Sequence, residues 1–284
     1  MSRSLPWLTL LSILLLAGCS GKTSAPTTRT GMTASADSVE IYYTVTGQGP
    51  AVVLVHCWGG NHGFFDSTVP ALAPDYTVVT LDLAGHGRSG LNRSNFNINS
   101  FAKDVLAAMD AAGVEQAVLV GHSMGGLVCL EVARQEPSRV KGIVGVETLH
   151  QVEHGYSRQD IERLVIPMQL KFQRTVSDHA RNLFPAGTDS NIVNLARLSM
   201  MAMPEDIAIQ SFRNLFVYDV GRAADALQVP LYLIEDAGQR VNRQAWAAHG
   251  VQLRTATMHN VGHFPMFTKP EEFNRVLKQA LAGF

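Results

Sequence analysis

The sequence is short of charge. Only 17% of its 284 residues are Asp, Glu, Lys or Arg, and 23 basic side chains against 24 acidic ones leave a formal net charge of −1. There is no basic excess to meet a phosphate backbone and no acidic tail, so nucleic acid is not an expected partner. Cysteine is scarce, at three residues. No internal repeat is present, and the longest apolar stretch near the start, residues 5–16, is too brief to span a bilayer comfortably. What remains is an ordinary hydrophobic content of 46% in a chain long enough for one large α/β domain with a substantial core.

Residues 1–18 read as a signal peptide. Arg3 supplies a positive start, the apolar stretch follows, and Leu16-Ala17-Gly18-Cys19-Ser20 has the cleavage pattern of a bacterial lipoprotein signal. Cys19 is then expected to become a lipid-modified N-terminus held in a lipid bilayer. A plain secretory signal with an incidental cysteine is the alternative, and both readings export the chain to the cell envelope. Ser20 after the cysteine resembles lipoproteins that go on to the outer membrane. Residues 19–38, rich in Ser, Thr, Ala and Gly, read as a flexible tether able to span about 25 Å. Cys57 and Cys129 remain, one in a loop and one in a helix, and are expected to stay as free thiols.

Residues 39–46 alternate as an opening strand would, closed by Gly47-Gln48-Gly49-Pro50. Continuous apolar runs at 51–55, 77–81, 117–120, 140–146 and 231–234 have the pattern of strands buried on both faces. Helical patterns near 64–72, 101–112 and 127–134 lie between them, which predicts a mainly parallel sheet flanked by helices. Residues 252–257 supply a late strand and 270–281 a closing helix with Pro270 near its start. Residues 149–216 break the rhythm: they hold only helical pieces with many Met and Phe, and read as a lid inserted over the C-terminal edge of the sheet. His150, His154, Met168, Met200, Met201 and Met203 would face either the pocket or a small core of the lid's own.

The sharpest local signal is Gly121-His122-Ser123-Met124-Gly125, placed where a buried strand runs into a helix. A serine hydroxyl is a weak nucleophile and needs a base beside it and donors for the oxyanion it creates. A strand turning directly into a helix crowds the backbone, so positions 121 and 125 must lack side chains. The helix N-terminus offers free N–H groups and positive dipole where negative charge develops. This is the context of a nucleophile elbow. A serine that merely caps the helix is the competing reading, and the agreement of strand, turn and helix opposes it.

With "VLVHCWGG", "LDLAGHGRSG" and "VGHFPM", the elbow makes residues 39–284 resemble the α/β-hydrolase fold superfamily, in the capped branch of small esterases, lactonases, C–C bond hydrolases, haloalkane dehalogenases and epoxide hydrolases. The dehalogenase and epoxide hydrolase members use an aspartate as nucleophile, and Ser123 in that place argues against both chemistries. His263, after the last strand, stands where the superfamily keeps its base, and imidazole titrates near neutrality as a base must. His259 lies four residues earlier at a helical zinc spacing, but Gly262 and the preceding strand argue against a helix, so no metal or other cofactor is expected. The resemblance implies that the N–H groups of Trp58 and Met124 hold the oxyanion. Cys57 replaces the usual glycine of that loop and reads as a packing residue; His56 reads as a loop anchor, and Asp82 and His86 as scaffold.

The acid that orients the histidine is the open member. The superfamily's usual register brings the uncharged Gln239 to its place. Two carboxylates compete: Glu147 at the end of strand 140–146, a position from which some dehalogenase-like relatives take their acid, and Asp236 two residues past Ile234. Glu147 is preferred, with Asp236 the alternative. The expected function is a serine hydrolase of small-molecule carboxylic esters, acting through an acyl-enzyme at Ser123. Lactone or C–C bond hydrolysis with the same nucleophile is the runner-up, and a non-catalytic envelope binding protein on the same fold is the rival from another class.

Overall fold

The computed structural model describes residues 27–153 and 155–284. The expected signal peptide, Cys19, the first part of the tether and His154 lie outside the described residues. Eight strands form one sheet: β1 (Thr28–Ala34), β2 (Glu40–Thr46), β3 (Ala51–Val55), β4 (Thr77–Leu81), β5 (Ala117–His122), β6 (Val140–Val146), β7 (Leu231–Asp236) and β8 (Leu253–Met258). Their spatial order is β1-β2-β4-β3-β5-β6-β7-β8. β1 and β2 run antiparallel at one edge, and the pairs from β4 through β8 are parallel. The central strands are buried on both faces because helices cover both, which is why they are built mainly of Val, Leu, Ile, Ala and Gly, with Lys141 at the start of β6 the exposed exception.

Ten α-helices lie among the described residues: α1 (Val69–Leu72), α2 (Ile98–Ala112), α3 (Met124–Gln135), α4 (Arg158–Asn182), α5 (Ser190–Met201), α6 (Glu205–Phe216), α7 (Val220–Asp225), α8 (Arg243–Ala248), α9 (Pro265–Thr268) and α10 (Pro270–Leu281). α2 shows how sequence sets such an element. Phe101, Val105, Ala108 and Ala112 recur at helical spacing and are buried; the Asn97 side chain accepts from the Ser100 N–H at the start, and Gly113 ends it at φ 73°. The helix expected near 64–72 is instead a 3-10 turn (His62–Phe65) followed by the short α1.

Two expectations need correction. The tether proposed for residues 19–38 contains β1, which pairs with β2 from Thr28↔Thr46 to Ala34↔Glu40. An edge strand with largely exposed faces needs no apolar stripe, so its composition resembles a linker. The helical segment expected to end near 216 continues through α7, so four helices, α4 to α7, separate β6 from β7. α4 opens with a capping box of Ser157 and Asp160, and its helical backbone is interrupted at Lys171. No helix of the described residues is long and apolar enough to cross a membrane.

Parallel strands joined by right-handed crossovers deliver their C-terminal ends to one edge of the sheet. Ser123, Glu147 and Asp236 stand there, at the ends of β5, β6 and β7.

Candidate active site

Ser123 is half-buried and occupies the turn between β5 and α3 with φ 53° and ψ −116°, a strained conformation for a residue with a side chain. Its N–H donates to the Val146 carbonyl at 3.0 Å, and its own carbonyl accepts from Thr148 Oγ1 at 2.7 Å. The flanking glycines are required by backbone, not by side chains: a Cβ at Gly121 would strike the Gly125 carbonyl, and one at Gly125 would strike the carbonyl of Val55. Met124 is the first residue of α3, so its N–H is one of those without an intrahelical acceptor.

His263 follows β8, on a loop held from three directions. The His122 ring lies 4.9 Å from the His263 ring, centroid to centroid, and its Nε2–H donates to the His263 carbonyl at 2.7 Å. The His263 N–H donates to the Leu183 carbonyl at 2.8 Å, just past the end of α4. Asp236 accepts from the N–H groups of Val261 at 2.6 Å and Gly262 at 3.1 Å. The loop is thereby tied to the residue next to Ser123 and to the end of α4 at once.

Of the two rival acids, Glu147 faces the histidine. His263 Nδ1 lies 4.0 Å from Glu147 Oε2, while Glu147 Oε1 accepts from the Asp236 N–H. Glu147 also has a positive φ, of 49°. Asp236 is otherwise engaged: besides the two loop N–H groups it accepts from Gly238 N at 3.0 Å. Gln239 shares with Glu147, Asp236, His263 and Asn182 a cleft of 330 Å³ on this side of the loop. Burial pushes the Glu147 carboxyl up to about 7, the Asp236 N–H opposing and the charges of Asp236 and Glu235 adding. Burial likewise holds His263 well below the ordinary imidazole range, with His122, His179 and His150 acting in the same direction. Burial would raise Asp236, but the N–H groups of Gly238, Val261 and Gly262 outweigh it and hold it low. A neutral imidazole with Nδ1 toward a carboxyl can accept a proton at Nε2.

The loop after β3 covers the same edge. Trp58 is buried, its indole N–H donating to the Ala208 carbonyl and Ser211 Oγ of α6, both at 3.1 Å. The Trp58 backbone N–H has no hydrogen-bond partner among the described residues. Gly59, at φ 68°, lies against Met200 of α5 so closely that a Cβ would not fit. Cys57 is not among the positive-φ residues, so this loop needs no glycine there, and burial pushes its thiol up to about 12, which makes it inert. Cys57 and Cys129 are both free and buried. His56 donates from Nδ1 to the Cys57 carbonyl and accepts the Leu83 N–H at Nε2. Asp82 accepts from the N–H groups of His62 and Arg88, and buried His86 donates to Ala84, all within the scaffold.

Three residues that hold the site carried no clear signal in the sequence: His122, Thr148 and the loop-clamping role of Asp236. His122 sits inside the elbow motif, where its burial could have been inferred from the strand pattern but its partner could not. Among the described residues no group of His, Cys, Asp and Glu is arranged to hold a metal ion.

A family model described as alpha/beta hydrolase fold matches residues 50–193. The chain is 35% identical over 121 residues to "Putative carbamate hydrolase RutD" of Azorhizobium caulinodans, covering 43% of each chain. It is 31% identical over 143 residues to the pimeloyl-[acyl-carrier protein] methyl ester esterase of Yersinia enterocolitica, covering 48% of this chain and 54% of that protein. The chain thus spans about half the length of these curated relatives. Among solved structures, the enol-lactonase from Burkholderia xenovorans LB400 shares the fold with a TM-score of 0.78 at 17% identity, covering 89% of this chain and 100% of that one.

Proposed function

The chain belongs to the alpha/beta hydrolase fold family, and from that premise we propose that it is a serine hydrolase that cleaves carboxylic esters through an acyl-enzyme. The observation that carries the reading is the strained Ser123 at the tip of β5, beside a loop whose imidazole turns Nδ1 to Glu147. Ser123 Oγ attacks the ester carbonyl while His263 Nε2 takes its proton, and the N–H groups of Trp58 and Met124 receive the oxyanion. Collapse of the tetrahedral intermediate expels the alcohol, which leaves with the proton from His263. Water then attacks the acyl-enzyme, giving its proton to His263, and the acid departs as Ser123 recovers its hydrogen. Glu147 holds the imidazole in orientation and balances its positive charge.

Carbamates and lactones share the carbonyl with a heteroatom leaving group, so the same steps serve them. The relatives named for a carbamate and a methyl ester support that breadth of substrate class. We read α4–α7 as a lid, because Trp58, Gly59 and the His263 N–H all rest on it. The sequence around Cys19 supports export, lipidation at that cysteine and attachment to the envelope, with Ser20 favouring the outer membrane.

The wild-type protein should label with a fluorophosphonate and hydrolyse a short p-nitrophenyl ester, and Ser123→Ala should do neither. A wild type that does neither favours the binding-protein reading.

A further inference from the structure

β7 ends in two consecutive acids, Glu235 and Asp236, and successive strand residues point to opposite faces. Asp236 goes to the His263 loop, as described. Glu235 is 5% exposed and turns to a second histidine: its Oε2 lies 3.9 Å from Nε2 of His150. That separation is too long for a hydrogen bond. Glu235 Oε1 and His150 Nε2 are both buried with no hydrogen-bond partner among the described residues. His150 itself is fixed by its backbone, its carbonyl accepting from Asn242 at 2.9 Å, while the neighbouring Leu149 carbonyl accepts from the Trp246 indole at 3.0 Å. The end of the sheet therefore carries two carboxyl–imidazole pairs side by side, Glu147 with His263 and Glu235 with His150.

We propose that Glu235 and His150 form a positioning pair that governs the charge on Glu147 and, through it, the hold on His263. The inference rests on the reading of Glu147 as the acid of the site. Two buried carboxylates within each other's field cannot both ionise freely, since in a low-dielectric setting the first negative charge resists the second. The Glu147 N–H donates to the Ile234 carbonyl at 3.0 Å and Glu147 Oε1 accepts from the Asp236 N–H, so Glu147 is bonded to the backbone on both sides of Glu235. Burial pushes both carboxyls up to about 7, and the charge of Glu235 adds to the rise at Glu147. The remaining charged neighbours are few. Asp236 also acts on Glu147, Arg243 on Glu235, and His259 on Asp236. His263 is faced by His122, His179 and His150. The charge on Glu235 thus raises the pH at which Glu147 ionises, and the onset of activity with rising pH depends on both carboxyls rather than on Glu147 alone. Closing the 3.9 Å gap would let His150 Nε2–H donate to Glu235, which favours the charge on Glu235 and so delays the charge on Glu147.

The test is the pH profile of kcat/KM for a short p-nitrophenyl ester, measured from mildly acidic to mildly alkaline pH on the full chain. Glu235→Gln should move the acid limb to lower pH by about half a unit, the scale of one like-charge neighbour removed. His150→Phe, which withdraws the donor and leaves Glu235 protonated, should move the limb the same way and carries the test should Glu235→Gln fail to fold. The double variant should shift no further than Glu235→Gln alone. An acid limb that stays in place in the folded single variants, or shifts that simply add, overturns the proposal. Glu147→Gln run in parallel separates the two levels. Full activity in that variant removes the reading of Glu147 and the pairing with it, whereas an inactive Glu147→Gln beside an unmoved Glu235→Gln overturns the pairing alone.

Discussion

Glu147→Gln should pull stability and activity in opposite directions, the gain in stability growing from about pH 4.5 and reaching its full size above about pH 7. Glu147 is 3% exposed, and burial has pushed its carboxyl from the ordinary 4.5 up to about 7. Between those two values the folded chain keeps a proton that the unfolded chain has released, so stability falls as pH rises through that window. Below the lower value both states are protonated and no penalty exists; above the upper one it is present in full. A rise from 4.5 to about 7, at about 1.36 kcal/mol per pH unit, is worth roughly 3 kcal/mol. Glutamine retains an acceptor for the Asp236 N–H, which Glu147 Oε1 now receives, and it never ionises. Urea unfolding should therefore find the variant close to wild type at about pH 4.5 and more stable by roughly 2–3 kcal/mol at about pH 9. Ester hydrolysis should fall by about a thousandfold or more, because an amide cannot balance the imidazolium. A variant less stable than wild type at alkaline pH would refute the reasoning, since it would mean that the folded chain favours the charged carboxylate there.

Asp236→Asn should behave in the contrary way. Its carboxylate receives three backbone N–H groups, and one amide oxygen cannot serve them all, so unfolding at neutral pH should show a loss of about 1–3 kcal/mol. Since those N–H groups outweigh burial and hold Asp236 below its ordinary 3.8, the wild-type advantage exists above that value and disappears as acid protonates the folded form. A loss that persists in strong acid would contradict this. Gly125→Ala drives a Cβ into the carbonyl groups of Val55 and His56 and should cost about 3 kcal/mol or more in unfolding measurements. Gly113→Ala, in open space at φ 73°, should cost only about 1 kcal/mol; equal costs would show that the elbow tolerates the side chain. Cys19→Ala should release the protein from membranes in fractionation, and a wild type already in the soluble fraction would remove the anchor.

What the sequence discloses follows from how many constraints each residue meets. β6 is bounded to the residue by its apolar run because both of its faces are covered, and α10 by Pro270 and its apolar stripe. β1 meets only one neighbour, so Thr28, Thr30 and Thr33 read as linker composition. The 3-10 turn before α1 is hidden by Phe64 and Phe65, whose burial imitates a helical stripe. In the site, Ser123 is legible because Gly121 and Gly125 flank it where a Cβ would strike backbone carbonyls. The bond from His122 to His263 joins residues 141 positions apart, and no local pattern encodes it.

Glu147 and Asp236 show the same limit in its sharpest form. On the sequence they are rivals for one role, because both are acids at strand ends and nothing local separates them. In the fold the two carboxylates have different work, decided by hydrogen-bond supply. Asp236 faces the backbone of the His263 loop, whose N–H groups fill its oxygens and, with a smaller contribution from His259, keep it charged. Glu147 receives one backbone N–H, from Asp236 itself, and turns its second oxygen to Nδ1. A carboxylate saturated by amides has little left to give an imidazolium, while one short of donors gains most when that charge appears. The clamp and the orienting acid are thus coupled through the backbone of residue 236, and a change at either should be felt as displacement of the same ring.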